Sequence, residues 1–148
     1  MVLNLRGKAE TINKLGIKKN SRLLLLGGGS WLSKAISARF GRQVNVISTK
    51  LSEPPRAGSY DMLVICAKSK SQLREAFRLS RQLMDENGCI WAVVRKKIKK
   101  EIQPFTEGEV FSAGKEIGLV DVKVASLSEY EYALKFVIPL KYRTSPAK

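Results

Sequence analysis

Leu23–Leu26 is an unbroken apolar run, followed at once by Gly27, Gly28, Gly29 and Ser30. A strand with one wet face would alternate, and four residues are too few for a helix. The run therefore reads as a strand buried on both faces, the kind found inside a parallel sheet with helices on either side. The glycines permit a tight turn, and Ser30 can cap the helix that follows. Buried strand, glycine turn and helix N-terminus together form a potential cradle for an anion or nucleotide. The same turn is also what a sharp chain reversal requires.

The rest of the chain repeats this grammar. Ala9, Ile12 and Leu15 lie at helical spacing before Gly16, so residues 1–20 read as a helix and a basic turn. Trp31, Leu32, Ala35, Ile36 and Phe40 predict a helix over 30–40, closed by Gly41. A strand is expected over 43–48, then a helix-free loop over 49–60 marked by Pro54-Pro55 and Gly58. Residues 61–67 form another continuous apolar strand. Ser69 and Gln72 suggest a capping box opening a helix to about Glu86, with Leu73, Ala76, Phe77, Leu83 and Met84 inward and Asn87-Gly88 ending it. Cys89–Val94 is the fourth strand. Thr106 and Glu109 make a second capping box, for a helix reaching Gly118. Residues 119–127, alternating at Val120, Val122 and Val124, and residues 130–139 then pair as a hairpin across Ser128-Glu129. Residues 140–148 read as a flexible basic tail.

Strands alternating with helices imply a single α/β domain over 1–148, a Rossmann-like, six-stranded, mostly parallel sheet with helices on both faces and a C-terminal antiparallel hairpin. Twelve residues over 49–60 can stretch roughly 40 Å, at about 3.3 Å each. That length carries the chain from the second strand past the first without a helix. The expected order is 2-1-3-4-6-5, with the topological switch between strands 1 and 3.

Composition narrows the chemistry. The 148 residues contain no histidine and two cysteines, which removes the commonest general base and any ordinary zinc site. Cys66 and Cys89 sit in apolar strands and read as reduced core residues. No 18-residue apolar run exists, and the opening MVLNLRGKAE lacks the apolar stretch of a signal peptide. A soluble, cytoplasmic protein without membrane contact is expected. The net charge is +14, unevenly spread: residues 1–50 hold ten Lys/Arg against one acid, 51–100 eleven against five, and 101–148 six against seven. That asymmetry suggests a polyanionic partner, nucleic acid in particular, over a mere lysine-rich habit.

The pattern resembles the class I S-adenosylmethionine-dependent methyltransferases from Gly16 onward. LLLLGGGSW stands at their glycine-rich first motif, YDMLVICA (60–67) at the fourth, NGCIWAVVRK (87–96) at the strand after the next helix, and GLVDVKVASLSEYEYALKFVIP at the terminal hairpin. KLGIKKNSRLLLLG and EIGLVDVKV are similar to a family of small uncharacterised bacterial proteins with a shortened, degenerate version of that fold. The family motif carries an acid two places before its first glycine, where Leu25 stands, and its third glycine corresponds to Trp31. Its ribose-holding acid ends the second strand, where Thr49 and Lys50 stand. One strand–helix unit is replaced by 49–60, and the fourth-motif exit is Ala67-Lys68-Ser69 instead of an Asp or Asn followed by prolines. A lysine cannot accept a hydrogen bond from a diol, so no cofactor is expected.

In open α/β sheets ligands sit beyond the carboxyl ends of the strands, at the switch point. The residues leaving those ends are Gly27, Gly28, Gly29, Ser30, Lys50, Lys68, Arg95 and Lys96, a basic crevice suited to phosphate. Lys70, Arg74, Arg78 and Arg81 form a stripe on the following helix, joined by Lys97, Lys99 and Lys100 as a polyanion-binding surface. Such stripes are also ordinary solvated faces. Trp31, Tyr60 and Trp91 are the aromatics that could stack bases, Trp91 being a core position by its place in mid-strand. A Ser30/Lys68 nucleophile–base pair is the sole catalytic pairing in view. The functional reading is a non-catalytic methyltransferase-like module that binds nucleic acid or a phosphate-bearing ligand. The alternatives are a divergent S-adenosylmethionine-dependent methyltransferase, perhaps acting on RNA, and a scaffold for an acidic protein. The sequence is silent on oligomeric state.

Overall fold

The computed structural model describes residues 12–28, 30–53, 55, 58–96 and 103–144. Gly29, Lys97, Lys99, Lys100, residues 1–11 of the N-terminal segment and the last four residues lie outside that set. In chain order the elements are β1 (Arg22–Leu26), α1 (Ser30–Phe40), β2 (Asn45–Thr49), β3 (Tyr60–Ile65), α2 (Lys70–Leu83), β4 (Met84–Arg95), α3 (Glu107–Glu116), β5 (Val120–Ser126) and β6 (Glu131–Val137). They form one sheet of order β2-β1-β3-β4-β6-β5, as the sequence predicts. β2, β1, β3 and β4 are parallel, and β6 runs antiparallel to both β4 and β5.

The buried strand residues feed two cores, one on each face of the sheet. Leu24, Leu26, Leu63, Ile65, Ile90 and Phe136 face α2 and α3, meeting Leu73, Phe77 and Val110. Leu23, Leu25, Val64, Trp91 and Ala133 face the other layer, meeting Leu32 and Ile36 of α1 with Ile12 and Leu15 of the helical residues 12–15. Two buried faces explain why Leu23–Leu26 needs no polar alternation. Trp91 is fully buried, and its Nε1–H donates to the Leu15 carbonyl at 3.3 Å, holding residues 12–15 to the sheet.

Several expectations are corrected. α2 ends at Leu83, not near Glu86, because Met84 is already extended (ψ 143°) and pairs with Tyr60. Asn87-Gly88 therefore ends no helix. It lies in a bulge, where Asp85–Gly88 stand opposite Asp61 before Met62 pairs with Cys89. A Cβ on Gly88 would sit 2.8 Å from the Asp61 carbonyl oxygen, so this close approach needs glycine. β2 runs Asn45–Thr49 rather than 43–48, since Gly41–Gln43 is a 3-10 turn. The Ser69 hydroxyl caps the Gln72 N–H, but Gln72 reaches back to the Lys68 N–H, one residue before the cap. Thr106 and Glu109 do form the full reciprocal box.

The alternation in β5 is broken between Asp121 and Lys123. Val120 pairs with Val137 on the α1 side, whereas Val124 pairs with Leu134 on the α2/α3 side, and Val120, Val122 and Val124 are all exposed. A bulge and a lysine on an edge strand block pairing with another chain. The described part of the tail is tied down as well. Leu140–Tyr142 is a 3-10 turn, and Thr144 bonds the Glu86 carboxylate through its N–H (3.1 Å) and hydroxyl (2.9 Å). No helix of the described residues is long and apolar enough to cross a membrane.

Candidate functional site at the carboxyl ends of the strands

Where β1 and β3 part, the sheet leaves a cleft of about 620 Å³. Its floor is the turn after β1. The Gly27 N–H donates to the Thr49 carbonyl (3.0 Å) and the Cys66 N–H to the Leu26 carbonyl (2.8 Å), so the turn is pinned between β2 and β3. Gly27 has φ +86°, and a Cβ there would lie 2.3 Å from the Cys66 carbonyl oxygen. Gly28 has φ +136° and open space above it, with only the Cys66 Cβ as near as 3.9 Å. The first glycine is thus demanded by the fold. The second leaves its backbone bare to the cleft.

The walls come from five other places. Trp31 and Leu32 of α1 close one side, and Trp31 is half-buried over the crevice its position suggested. Cys66, Ala67 and Lys68 leave β3, and Val93 and Arg95 end β4. Gln103, Pro104 and Phe105 return over the top, where the Gln103 Nε2–H donates to the Arg95 carbonyl at 2.8 Å. Leu127 and Glu131 of the hairpin end complete the lining. Apolar walls with a few charges at the rim suit a small organic ligand carrying charge.

Of the basic crevice expected from sequence, Gly27, Gly28, Lys68 and Arg95 come together here. Lys50 is exposed but not among the lining residues. Lys96 is spent on the fold: its ammonium donates to the Ser126 Oγ (3.1 Å) and the Ser128 carbonyl (2.8 Å), closing the hairpin against β4. Ser30 opens α1, and Gly29 lies outside the described residues. Tyr60 is 1% exposed under the Arg22 guanidinium and is no stacking platform. Asp61 accepts the Arg22 N–H at 2.8 Å, a structural task.

The α2 stripe is divided. Lys70 pairs with Glu109 at 2.7 Å and Arg74 with Glu116 at 3.1 Å, both acids belonging to α3. Arg78 and Arg81 make no ion pair among the described residues. Ser69 is a helix cap and not a reactive group. Cys66 and Cys89 are free thiols. Burial, and then the Glu131 carboxylate, push the Cys66 thiol up to about 12. A thiol held protonated is a poor nucleophile. Among the described residues no cluster of acids and cysteines could hold a metal ion.

Gln103, Pro104, Phe105, Leu127 and Glu131 were not anticipated as site residues. The hairpin was legible, and its turn must lie beside the end of β4 if β6 pairs there. That was the available signal for Leu127 and Glu131. Nothing in Gln103–Phe105 announces that it folds back.

No protein family model matches the chain, and no curated protein matches it. Solved structures do. An S-adenosylmethionine-dependent methyltransferase from Clostridium acetobutylicum is similar at TM-score 0.61 and 9% identity, over 92% of each chain. One from Aquifex aeolicus is similar at TM-score 0.63 and 12% identity, over 88% of this chain and 89% of that one. Fibrillarin of Aeropyrum pernix, in complex with natively bound S-adenosyl-L-methionine, is similar at TM-score 0.57 and 15% identity, over 90% and 76%. The fold is therefore the Rossmann-like fold of the class I methyltransferases in divergent form.

Proposed function

We propose that this domain is a non-catalytic, methyltransferase-like module whose cleft binds a phosphate-bearing ligand, a nucleotide or a nucleic-acid segment. The observation that carries the reading is the cleft itself: Lys68 and Arg95 at its rim, the bare backbone of Gly28 below, and Trp31 and Phe105 on its walls. Ammonium and guanidinium groups beside backbone N–H groups suit phosphate oxygens, and the half-buried Trp31 ring can accept a base.

S-adenosylmethionine does not fit the residues present. No described residue of β2 or of the loop 50–59 lines the cleft. At the end of β2, where a ribose diol needs an acceptor carboxylate, stand Thr49 and the exposed Lys50. The Thr49 hydroxyl is buried without a hydrogen-bond partner among the described residues. Trp31 occupies the side of the glycine turn that the family keeps open. A methyltransferase is the second reading, favoured by the likeness to enzymes of that class. A fold by itself does not assign an activity.

Calorimetric titration separates the two. Adenosine diphosphate is expected to bind, and Lys68→Gln to weaken it about tenfold, the loss of one charge-assisted contact. S-adenosylmethionine and S-adenosylhomocysteine are expected to give no heat at millimolar concentration. Micromolar binding of either would replace this reading with the methyltransferase.

A further inference from the structure

The strongest concentration of charge lies away from the cleft. Residues 11–52 contain no acid and eight Lys/Arg. The fold places three of these cations on one layer and three more at its adjoining end. Residues 12–15 and α1 pack on the same side of the sheet, with Ile12, Leu15, Leu32 and Ile36 pointing inward. Lys14, Lys34 and Arg39 are exposed on that layer. The turn over 16–20 is then fastened to the end of α1, because the Asn20 N–H donates to the Gln43 carbonyl and the Asn45 N–H to the Ser21 carbonyl. These bonds bring Lys18 and Lys19 beside Arg42 at the amino ends of β1 and β2, opposite the cleft. None of the six makes an ion pair among the described residues, whereas Lys70 and Arg74 of α2 are neutralised by α3.

We infer that this α1-side surface is a docking face for the phosphate backbone of a nucleic acid, separate from the cleft. Uncompensated cations gain the most from phosphate, because binding releases counterions without first breaking an ion pair. Exposed Asn13, Asn20, Ser37 and Gln43 lie among them and supply neutral hydrogen bonds of the kind that position a backbone. An anionic membrane is the poorer match. Among the described residues the large exposed hydrophobics are Val120, Val122, Val124, Tyr130, Leu140 and Tyr142, none of them in 12–52, so the described part of this face lacks the apolar anchor of an interfacial segment.

The test is fluorescence anisotropy of labelled oligouridylate, and of duplex DNA of equal length, against the full chain at increasing salt. The triple variant Lys18→Gln/Lys19→Gln/Arg42→Gln is compared with Lys70→Gln/Arg74→Gln/Arg78→Gln, which removes the same charge from α2. All six positions are exposed, so both variants should melt as the wild type does. The first is expected to weaken binding at least tenfold and to flatten the log–log salt slope by about two, at roughly 0.7 per phosphate on a single strand. The second is expected to change affinity less than threefold. Equal losses in both would reduce the effect to net charge and overturn the inference. So would an absence of binding at low salt, or binding to anionic vesicles but to neither nucleic acid. Titration of the first variant with adenosine diphosphate keeps the cleft's reading apart: that affinity should stay unchanged whichever way the nucleic-acid result falls.

Discussion

Gly114 of α3 lies directly on the ring of Phe136 in β6, so closely that a Cβ on the glycine would stand 2.6 Å from the ring Cε1. The ring cannot easily retreat. It already meets Phe77 of α2 edge-on, with centroids 5.1 Å apart, and it is 1% exposed. Gly114→Ala should therefore cost about 1–3 kcal/mol through overpacking, even though alanine is the better helix former. Denaturant unfolding checks this, and a more stable variant would show that α3 can lift off the sheet without penalty.

The two glycines of the β1 turn should behave differently. At Gly27 a new Cβ meets the carbonyl oxygen of Cys66, a residue whose own N–H is bonded to the Leu26 carbonyl, so Gly27→Ala is expected to cost about 3 kcal/mol or more. At Gly28 only the positive φ opposes the change, worth on the order of 1 kcal/mol. Thermal melting of both variants gives the comparison. If Gly28→Ala also abolishes nucleotide binding while the fold survives, its backbone touches the ligand.

The two thiols, Cys89 buried and Cys66 half-buried, set an alkaline limit. Burial raises the Cys89 thiol to about 11, with the Lys135 ammonium opposing the shift and the Asp61 carboxylate adding to it, and Cys66 reaches about 12, against an ordinary value of 9.0. Since both are raised, the folded chain holds these protons longer than the unfolded one. Their contribution is whole below about pH 9 and is lost as pH climbs through 11 and 12. Unfolding measured between pH 9 and 11 should show a flatter decline in Cys66→Ala/Cys89→Ala than in the wild type. An identical decline in both would mean the thiols are not the cause. In the native protein at pH 8, both should also react far more slowly with a thiol reagent than a free cysteine does.

The sheet order was legible because Leu23–Leu26 and Met62–Ile65 are unbroken apolar runs, and because a loop of that length excludes a further helix. Met84 misled for a physical reason: its side chain suits the inward face of α2 as well as a strand, and pairing with Tyr60 decides between them. The bulge in β5 was invisible because its register is imposed by β6. In the site, Gly27, Gly28, Lys68 and Arg95 followed from the rule that strand ends meet at the switch point. The fate of Lys96, Lys70 and Arg74 did not follow. Their partners at Ser126, Ser128, Glu109 and Glu116 lie 30 or more residues away, and charge alone does not say which cation is already engaged.

Because β6 lies between β4 and β5, the sheet is joined up only by the last of the described strands to be made. During synthesis, at about 5–20 residues per second, β5 emerges before the strand that must separate it from β4. Until residues 131–137 leave the ribosome, β4 carries an open edge and β5 waits with three valines and no neighbour. Chains truncated before residue 131 should accordingly be cut readily by protease, and chains that include residues 131–137 should resist. In the native molecule β6 covers the edge of β4, so only the order of manufacture reveals that edge.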